Sequence, residues 1–264
     1  MNQKIAVVTG GSSGIGRSTC QALSQAGYRV YELSRHDNAP AGTSHIFCDL
    51  TDEATVQAAI DEIVAREGRI DLLLNNAGAG ISGAVEFTGT VEAQRLFNLN
   101  LFGPVRVNRA VLPYMRRQGG GRIVHISSVA AAAALPFQAY YSATKSAINA
   151  YSLALANEVR PFGIEVCAVQ PGDIRTGFTA ARKKLQRGDD VYAGRIARSV
   201  ARMEKDEQTG MQPEQVAAFL RKLVAKKRLP PLTTIGASYR LATLLLRLLP
   251  TRLSQWLLYL IYAR

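Results

Sequence analysis

Only three cysteines, three histidines and one tryptophan occur in these 264 residues. Cys20, Cys48 and Cys167 lie far apart. Their odd number and wide spacing argue against a disulfide framework or a zinc site and suit a reducing compartment. The scattered histidines offer no imidazole cage for a metal. Long apolar runs are also missing. The start, MNQKIAVVTG, enters a strand pattern without the apolar core of a signal peptide, so a cytoplasmic location is expected. In the apolar C-terminal tail the longest charge-free run, 253–263, is too short to cross about 30 Å of hydrocarbon as a helix. No internal repeat or low-complexity linker appears.

What is present reads as one globular domain, residues 1–264. Apolar residues make up 47% and charged residues 20%, near the globular average. The length buries a large core without covalent staples. The net charge of +12 is unevenly placed. Residues 1–174 carry 14 basic and 14 acidic side chains, and residues 175–264 carry 18 and 6. A basic third suits an anionic membrane, an acidic substrate or a solvated face. Nucleic acid is disfavoured, because the basic residues are not interleaved with aromatics in a known module.

Short apolar runs (IAVVT, RVYEL, IDLLL, RIVHIS, IEVCAVQ) alternate with longer helical patterns. That alternation predicts parallel strands covered on both faces, a doubly wound Rossmann-type α/β fold. TDEATVQAAIDEIVAREG predicts a helix capped at Thr51 or Asp52 and stopped at Gly68. The segment around FNLNLFGPVRVNRAVL predicts one or two helices, and QAYYSATKSAINAYSLALANEVRPFG a long one. Residues 177–210 read as a long helical lid with Gly177, Gly188 and Gly194 as hinges. Residues 237–264 read as an apolar tail broken at Pro250.

The first strand runs into Gly10, Gly11, Ser12, Ser13, Gly14, Ile15 and Gly16. Glycine allows the tight turn, and the helix N-terminus then offers free N–H groups to a pyrophosphate. The second strand ends Glu32-Leu33-Ser34-Arg35. Glu32 comes too early to meet a ribose 2′-hydroxyl. A hydroxyl at Ser34 and a guanidinium at Arg35 suit a 2′-phosphate, which favours NADP(H), with NAD(H) as the alternative.

Tyr141 and Lys145 are four residues apart and share one helix face. An ammonium beside a phenol favours its ionised form, so the pair can exchange a proton with an alcohol or carbonyl oxygen. Ser128 follows RIVHIS, Asn76-Ala77-Gly78 follows the preceding strand, and Pro171-Gly172 the next. All converge on the carboxyl edge of a parallel sheet, where ligands bind.

Together TGGSSGIG, NNAG, FNLNLFG, Ser128, YSATK and PGDIRT resemble the short-chain dehydrogenase/reductase family over roughly residues 4–177. The resemblance implies Tyr141 as acid/base and Lys145 as its partner and ribose holder. It implies Ser128 as polariser of the substrate oxygen, Asn100 as holder of a relay water and Ser127 as a cofactor-side residue. It further implies Asn76, Ala77 and Gly78 near the adenosine ribose, Asp49 and Leu50 at the adenine, and Ile174 and Thr176 at the carboxamide and phosphate.

The lid and tail resemble those of members acting on steroids, retinoids and other lipophilic carbonyls. An NADP-dependent oxidoreductase of a lipophilic ketone or alcohol is the leading expectation. A 3-oxoacyl thioester reductase is the alternative, with Arg182, Lys183, Lys184 and Arg187 meeting an anionic carrier. A non-catalytic NADP-binding regulator is another. A homodimer or homotetramer is expected, since FNLNLFGPVRVNRAVL has more apolar positions than one covered face needs. For the tail, two readings stand: docking on the body or a second subunit, or peripheral contact with an anionic membrane.

Overall fold

The computed structural model describes residues 3–264. Nine strands form: β1 (Ile5–Thr9), β2 (Arg29–Ser34), β3 (Ser44–Phe47), β4 (Leu72–Asn75), β5 (Ile81–Ser82), β6 (Gly121–Ile126), β7 (Ile164–Gln170), β8 (Lys183–Lys184) and β9 (Leu232–Thr234). Seven of them make a wholly parallel sheet in the order β3-β2-β1-β4-β6-β7-β9. The chain winds outward from β1 in one direction and then from β4 in the other, which opens a crevice at the carboxyl edge between β1 and β4.

The ten helices are α1 (Gly14–Gln25), α2 (Glu53–Glu67), α3 (Thr90–Phe97), α4 (Gly103–Arg117), α5 (Ala139–Glu158), α6 (Phe178–Ala181), α7 (Arg195–Gln208), α8 (Pro213–Val224), α9 (Ala237–Leu248) and α10 (Thr251–Tyr262). Alternation along β1 feeds two cores. Ile5 and Val7 join the cluster under α2, α4 and α5, which holds Val56, Val107 and Leu155. Ala6 and Val8 join the cluster under α1 and α8, which holds Leu23 and Leu220. A strand buried on both faces reads as a continuous apolar run for this reason.

Local signals set several boundaries. Asp52 caps α2 by accepting from the Ala54 amide at 2.9 Å, and Gly68 ends it at φ 72°. The path from α3 to α4 is one helix with a widened π turn at Asn98–Phe102. That turn carries Asn100, and such bulges often mark functional sites.

Two edge strands, β3 and β9, and the small parallel pair β5–β8 lie outside the five predicted runs. They are too short to show a hydrophobic period. The lid also departs from expectation. Residues 177–210 are not one helical stretch, because Lys183–Lys184 pairs with Ile81–Ser82. Gly188 and Gly194 then take positive φ values of 81° and 75°. Asp189 receives the Ile196 amide at 2.9 Å and so anchors the start of α7.

Candidate active site

A cavity of about 790 Å³ lies along the carboxyl edge and takes in most of the predicted residues. Gly10, Ser12, Ser13, Gly14 and Ile15 line one end, with Ser34, Arg35, Asp49 and Leu50 beyond them. Asn76, Ala77, Gly78, Ser128, Tyr141, Lys145, Pro171, Gly172, Ile174 and Thr176 line the rest. Gly16 and Asn100 stand behind the wall rather than in it.

The glycine turn fits a dinucleotide on physical grounds. Gly10 has φ 65°, and a Cβ there would come within 2.9 Å of Ala77 Cα. The first amides of α1 have no capping side chain, so they are free to meet an anion. Asn76 Nδ2 donates to the carbonyls of Thr9 and Gly10 at 3.1 and 3.0 Å. It thereby ties the end of β4 to the turn after β1. Glu32 is buried in β2 and bonds His45 Nδ1 at 2.7 Å, so it turns away from the cavity. Ser34 Oγ donates to the His36 carbonyl, and Arg35 is exposed beside it. Asp49 accepts from the Thr51 amide and hydroxyl, which lowers its pKa.

The reacting end is assembled by four elements. Lys145 Nζ donates to the Ile126 carbonyl at 2.8 Å and lies 5.7 Å from the centroid of the Tyr141 ring. Asn100 clasps Ala79, accepting from its amide and donating to its carbonyl, each at 2.9 Å. Gly78 sits where a Cβ would meet Asn100 Oδ1 at 3.2 Å and Lys145 Nζ at 3.7 Å. A side chain there would crowd both. Ser128 Oγ accepts from the Ala130 amide at 3.1 Å, and Ser128 lowers the pKa of the neighbouring Tyr141 phenol. Ser127 donates to the Lys145 carbonyl at 3.1 Å.

The ionisation differs from the sequence expectation in one respect. Burial pushes the Tyr141 phenol up to about 12, although Ser128 and Arg182 pull against it. Burial also pushes Lys145 down to about 8. Desolvation penalises both charged forms here, so the lysine does not bring the phenol toward neutrality in this geometry.

Several residues of the site escaped sequence reasoning. Leu135, Gln138, Phe178, Met203, Glu207 and Tyr262 close the substrate side, together with Asp173. The Phe178 ring lies 5.7 Å from that of Tyr141. Asp173 accepts from Tyr239 Oη of α9 at 2.7 Å. Phe178, Met203, Glu207 and Tyr262 come from the lid and tail, where no motif marks them; Leu135 and Gln138 precede α5, and Asp173 lies within PGDIRT. A buried polar network under the site was missed too. His125 bonds Asn108 and Ser152 at 2.8 Å each, and Asn108 accepts from Asn75 at 3.0 Å. Burial pushes His125 down to about 3.

Of the four lid cations only Arg182 is withdrawn from solvent; Lys183, Lys184 and Arg187 are exposed. Arg182 is buried and paired with Glu207. Lys184 pairs with Glu204, and Lys183 pairs with Glu92 at 3.3 Å. Arg187 lies 6.0 Å over the Phe87 ring.

Residues 4–187 match the short chain dehydrogenase family. The chain belongs to that family and is an NAD(P)-dependent oxidoreductase. A 3-ketodihydrosphingosine reductase of Bacteroides thetaiotaomicron is 42% identical over 239 residues, covering 89% of each chain. A dehydrogenase/reductase SDR family member 7B of Xenopus tropicalis is 32% identical over 95% of this chain and 83% of its own. Among solved structures, a short-chain dehydrogenase from Streptomyces avermitilis superposes with a TM-score of 0.86 at 33% identity, covering 97% of this chain and 96% of that one. ElxO with NADP bound superposes with a TM-score of 0.76 at 26% identity, over 90% of this chain and 99% of that one. These likenesses agree with a nicotinamide cofactor in the crevice.

Proposed function

We propose that this protein reduces the ketone of a lipophilic small molecule with NADPH, and that a long-chain 2-amino-3-ketone of the 3-ketodihydrosphingosine type is its substrate. One observation carries the chemistry: Ser128, Tyr141 and Lys145 meet at one end of a cavity whose other end suits a dinucleotide. The relative named for that ketone supports the substrate. Asp173 and Glu207 line the same pocket and both act on the Tyr141 phenol. Glu207 is already paired with Arg182 and Asp173 accepts from Tyr239, so the amino group of the proposed substrate rests on the relative alone.

The N-terminus of α1 would hold the pyrophosphate, and Ser34 with Arg35 the 2′-phosphate. Asp49 and Leu50 would meet the adenine, and Asn76 to Gly78 the adenosine ribose. Lys145 would hold the second ribose, and residues 171–176 the carboxamide side. The reduced nicotinamide bound there supplies the hydride. Tyr141, protonated near neutrality, would donate its proton to the carbonyl oxygen. Ser128 donates a hydrogen bond to the same oxygen as its charge grows. Asn100 fixes the strand-end loop at Ala79 and holds the relay water behind Lys145. In this reading the chain is a single catalytic domain with residues 177–210 as lid. It works as a homo-oligomer, with peripheral contact to an anionic membrane.

A 3-oxoacyl thioester is the second substrate class. Of the lid cations that favoured it, Arg182 is buried against Glu207, while Lys183, Lys184 and Arg187 remain exposed. NADPH consumption by the purified protein tests the choice with three substrates of matched chain length: the amino ketone, an uncharged ketone and a 3-oxoacyl thioester. The expected order of kcat/KM places the amino ketone first. A faster thioester overturns the substrate assignment, and turnover with NADH alone overturns the cofactor.

A further inference from the structure

Among the described residues, sixteen large apolar side chains are exposed, and nine of them lie on α9 and α10. On α9 they fall at 241, 244, 245 and 248, a single helical stripe; Leu241 is 58% exposed and Leu248 72%. On α10 the stripe passes through Leu253, Trp256, Leu257 and Ile261, with Trp256 54% exposed. The opposite faces are inward, with Thr243, Ser254, Leu258 and Ala263 buried. A helix of a soluble domain normally turns its apolar stripe to the core. Here only Thr243 of α9 and Ser254 and Leu258 of α10 are buried toward the body, and the apolar stripes face outside.

The charge around the outer stripes is of one sign. Residues 215–264 hold nine basic and no acidic side chains. Arg240, Arg247, Arg252 and Arg264 are all exposed. A second copy is a poor occupant for such a face. An isologous contact would set this patch against itself, arginine near arginine, with no local carboxylate to compensate. An anionic lipid surface supplies both what the leucines and what the arginines need.

The inner ends of the same two helices reach the substrate cavity. Tyr262 of α10 lines it. Tyr239 of α9 packs on Gly172 and bonds Asp173. We infer that α9 and α10 form a membrane-facing plate that seats the enzyme on an anionic bilayer, with the substrate cavity opening beside it so that a lipophilic ketone passes from the lipid to Tyr141. The seating deepens the membrane contact of the proposed function, and the substrate part rests on the ketone proposed there.

Flotation of the full-length protein with vesicles, without substrate, tests the seating. Vesicles of equal parts phosphatidylglycerol and phosphatidylcholine should bind it at low salt, and pure phosphatidylcholine at least several-fold less. Salt at about 1 M, where screening reaches within about 3 Å, should weaken the binding. Leu244→Glu with Leu248→Glu should lower binding at least tenfold while thermal melting and NADPH affinity stay unchanged, since both positions are exposed and outside the cavity. Arg247→Gln with Arg252→Gln should abolish the preference for anionic lipid. If the wild type ignores anionic vesicles and the leucine substitutions instead dissociate an oligomer in light scattering, the plate is a contact between copies and the inference fails. Vesicle binding without reduction of any vesicle-borne ketone leaves the seating standing and overturns the route to Tyr141.

Discussion

Up to residue 174 the chain balances its charges, and the strands and helices there turn their apolar side chains mostly inward. Beyond it the charge is basic, and α9 and α10 display apolar stripes to the outside. The first region carries the crevice and the second its substrate wall. The crevice is built from strand ends, whose positions follow from a parallel sheet with both faces covered. The wall is built from short pieces joined by glycine turns and ion pairs. In the proposed reading the chemistry sits on the strand ends, and much of the substrate wall on the lid and tail. A lid and tail can vary without moving the reacting groups.

Substitutions on each side should therefore fail in different ways. The largest effect is expected at the crevice. Tyr141→Phe removes the proton donor and should cut kcat by about 10²–10⁴-fold, with NADPH affinity retained in fluorescence titration. A near-normal rate would remove Tyr141 from its role. On the wall, Arg182→Met leaves the half-buried Glu207 carboxylate without its cation. Breaking such a pair typically costs about 3–5 kcal/mol, to be read as a lower denaturant midpoint. An unchanged midpoint would show that the pair is dispensable to the lid.

Arg35→Ala probes the cofactor end. It should weaken NADPH by about tenfold, or about 1.4 kcal/mol, and leave NADH nearly unaffected. Equal losses would refute a 2′-phosphate contact. The pH response separates the two buried bases of the crevice region. Lys145 is ammonium below its pKa of about 8, so kcat/KM should fall as pH rises through that value. His125 is held neutral, and burial takes its pKa from 6.5 to about 3. The unfolded chain binds that proton more readily, so stability is full above pH 6.5 and declines as pH falls toward 3. His125→Asn should flatten this decline in acid denaturation. The smallest effect is expected at α5 and the π turn before α4, where Leu153 and Phe102 are exposed. Leu153→Asp should shift the oligomer toward monomer in light scattering, with little change in melting temperature.

Much of the fold was legible because its signals are local. Each run of Val, Ile and Leu between helices has to be a strand buried on both sides, and five of the seven sheet strands show it. The edge strands β3 and β9 hold four and three residues, too few for a period to emerge. The residues gathered around the crevice were legible for a related reason. Glycines of the first turn, the Tyr141–Lys145 spacing and the strand-end positions of Asn76 and Ser128 are all short-range patterns with one geometric meaning.

By itself, then, the sequence determined the parallel α/β sheet, the crevice at its carboxyl edge and the residue types brought there, since strand and helix periods act over a few residues. Only the tertiary structure decided what surrounds them. Tyr262 and Glu207 reach the cavity across 121 and 66 residues from Tyr141, a juxtaposition that no local pattern encodes. Whether a lid cation is free or paired depends on which carboxylate folds beside it, as Glu207 does for Arg182. Burial also shifts Tyr141 up and Lys145 down, because desolvation depends on everything packed around a group and not on its neighbours in sequence.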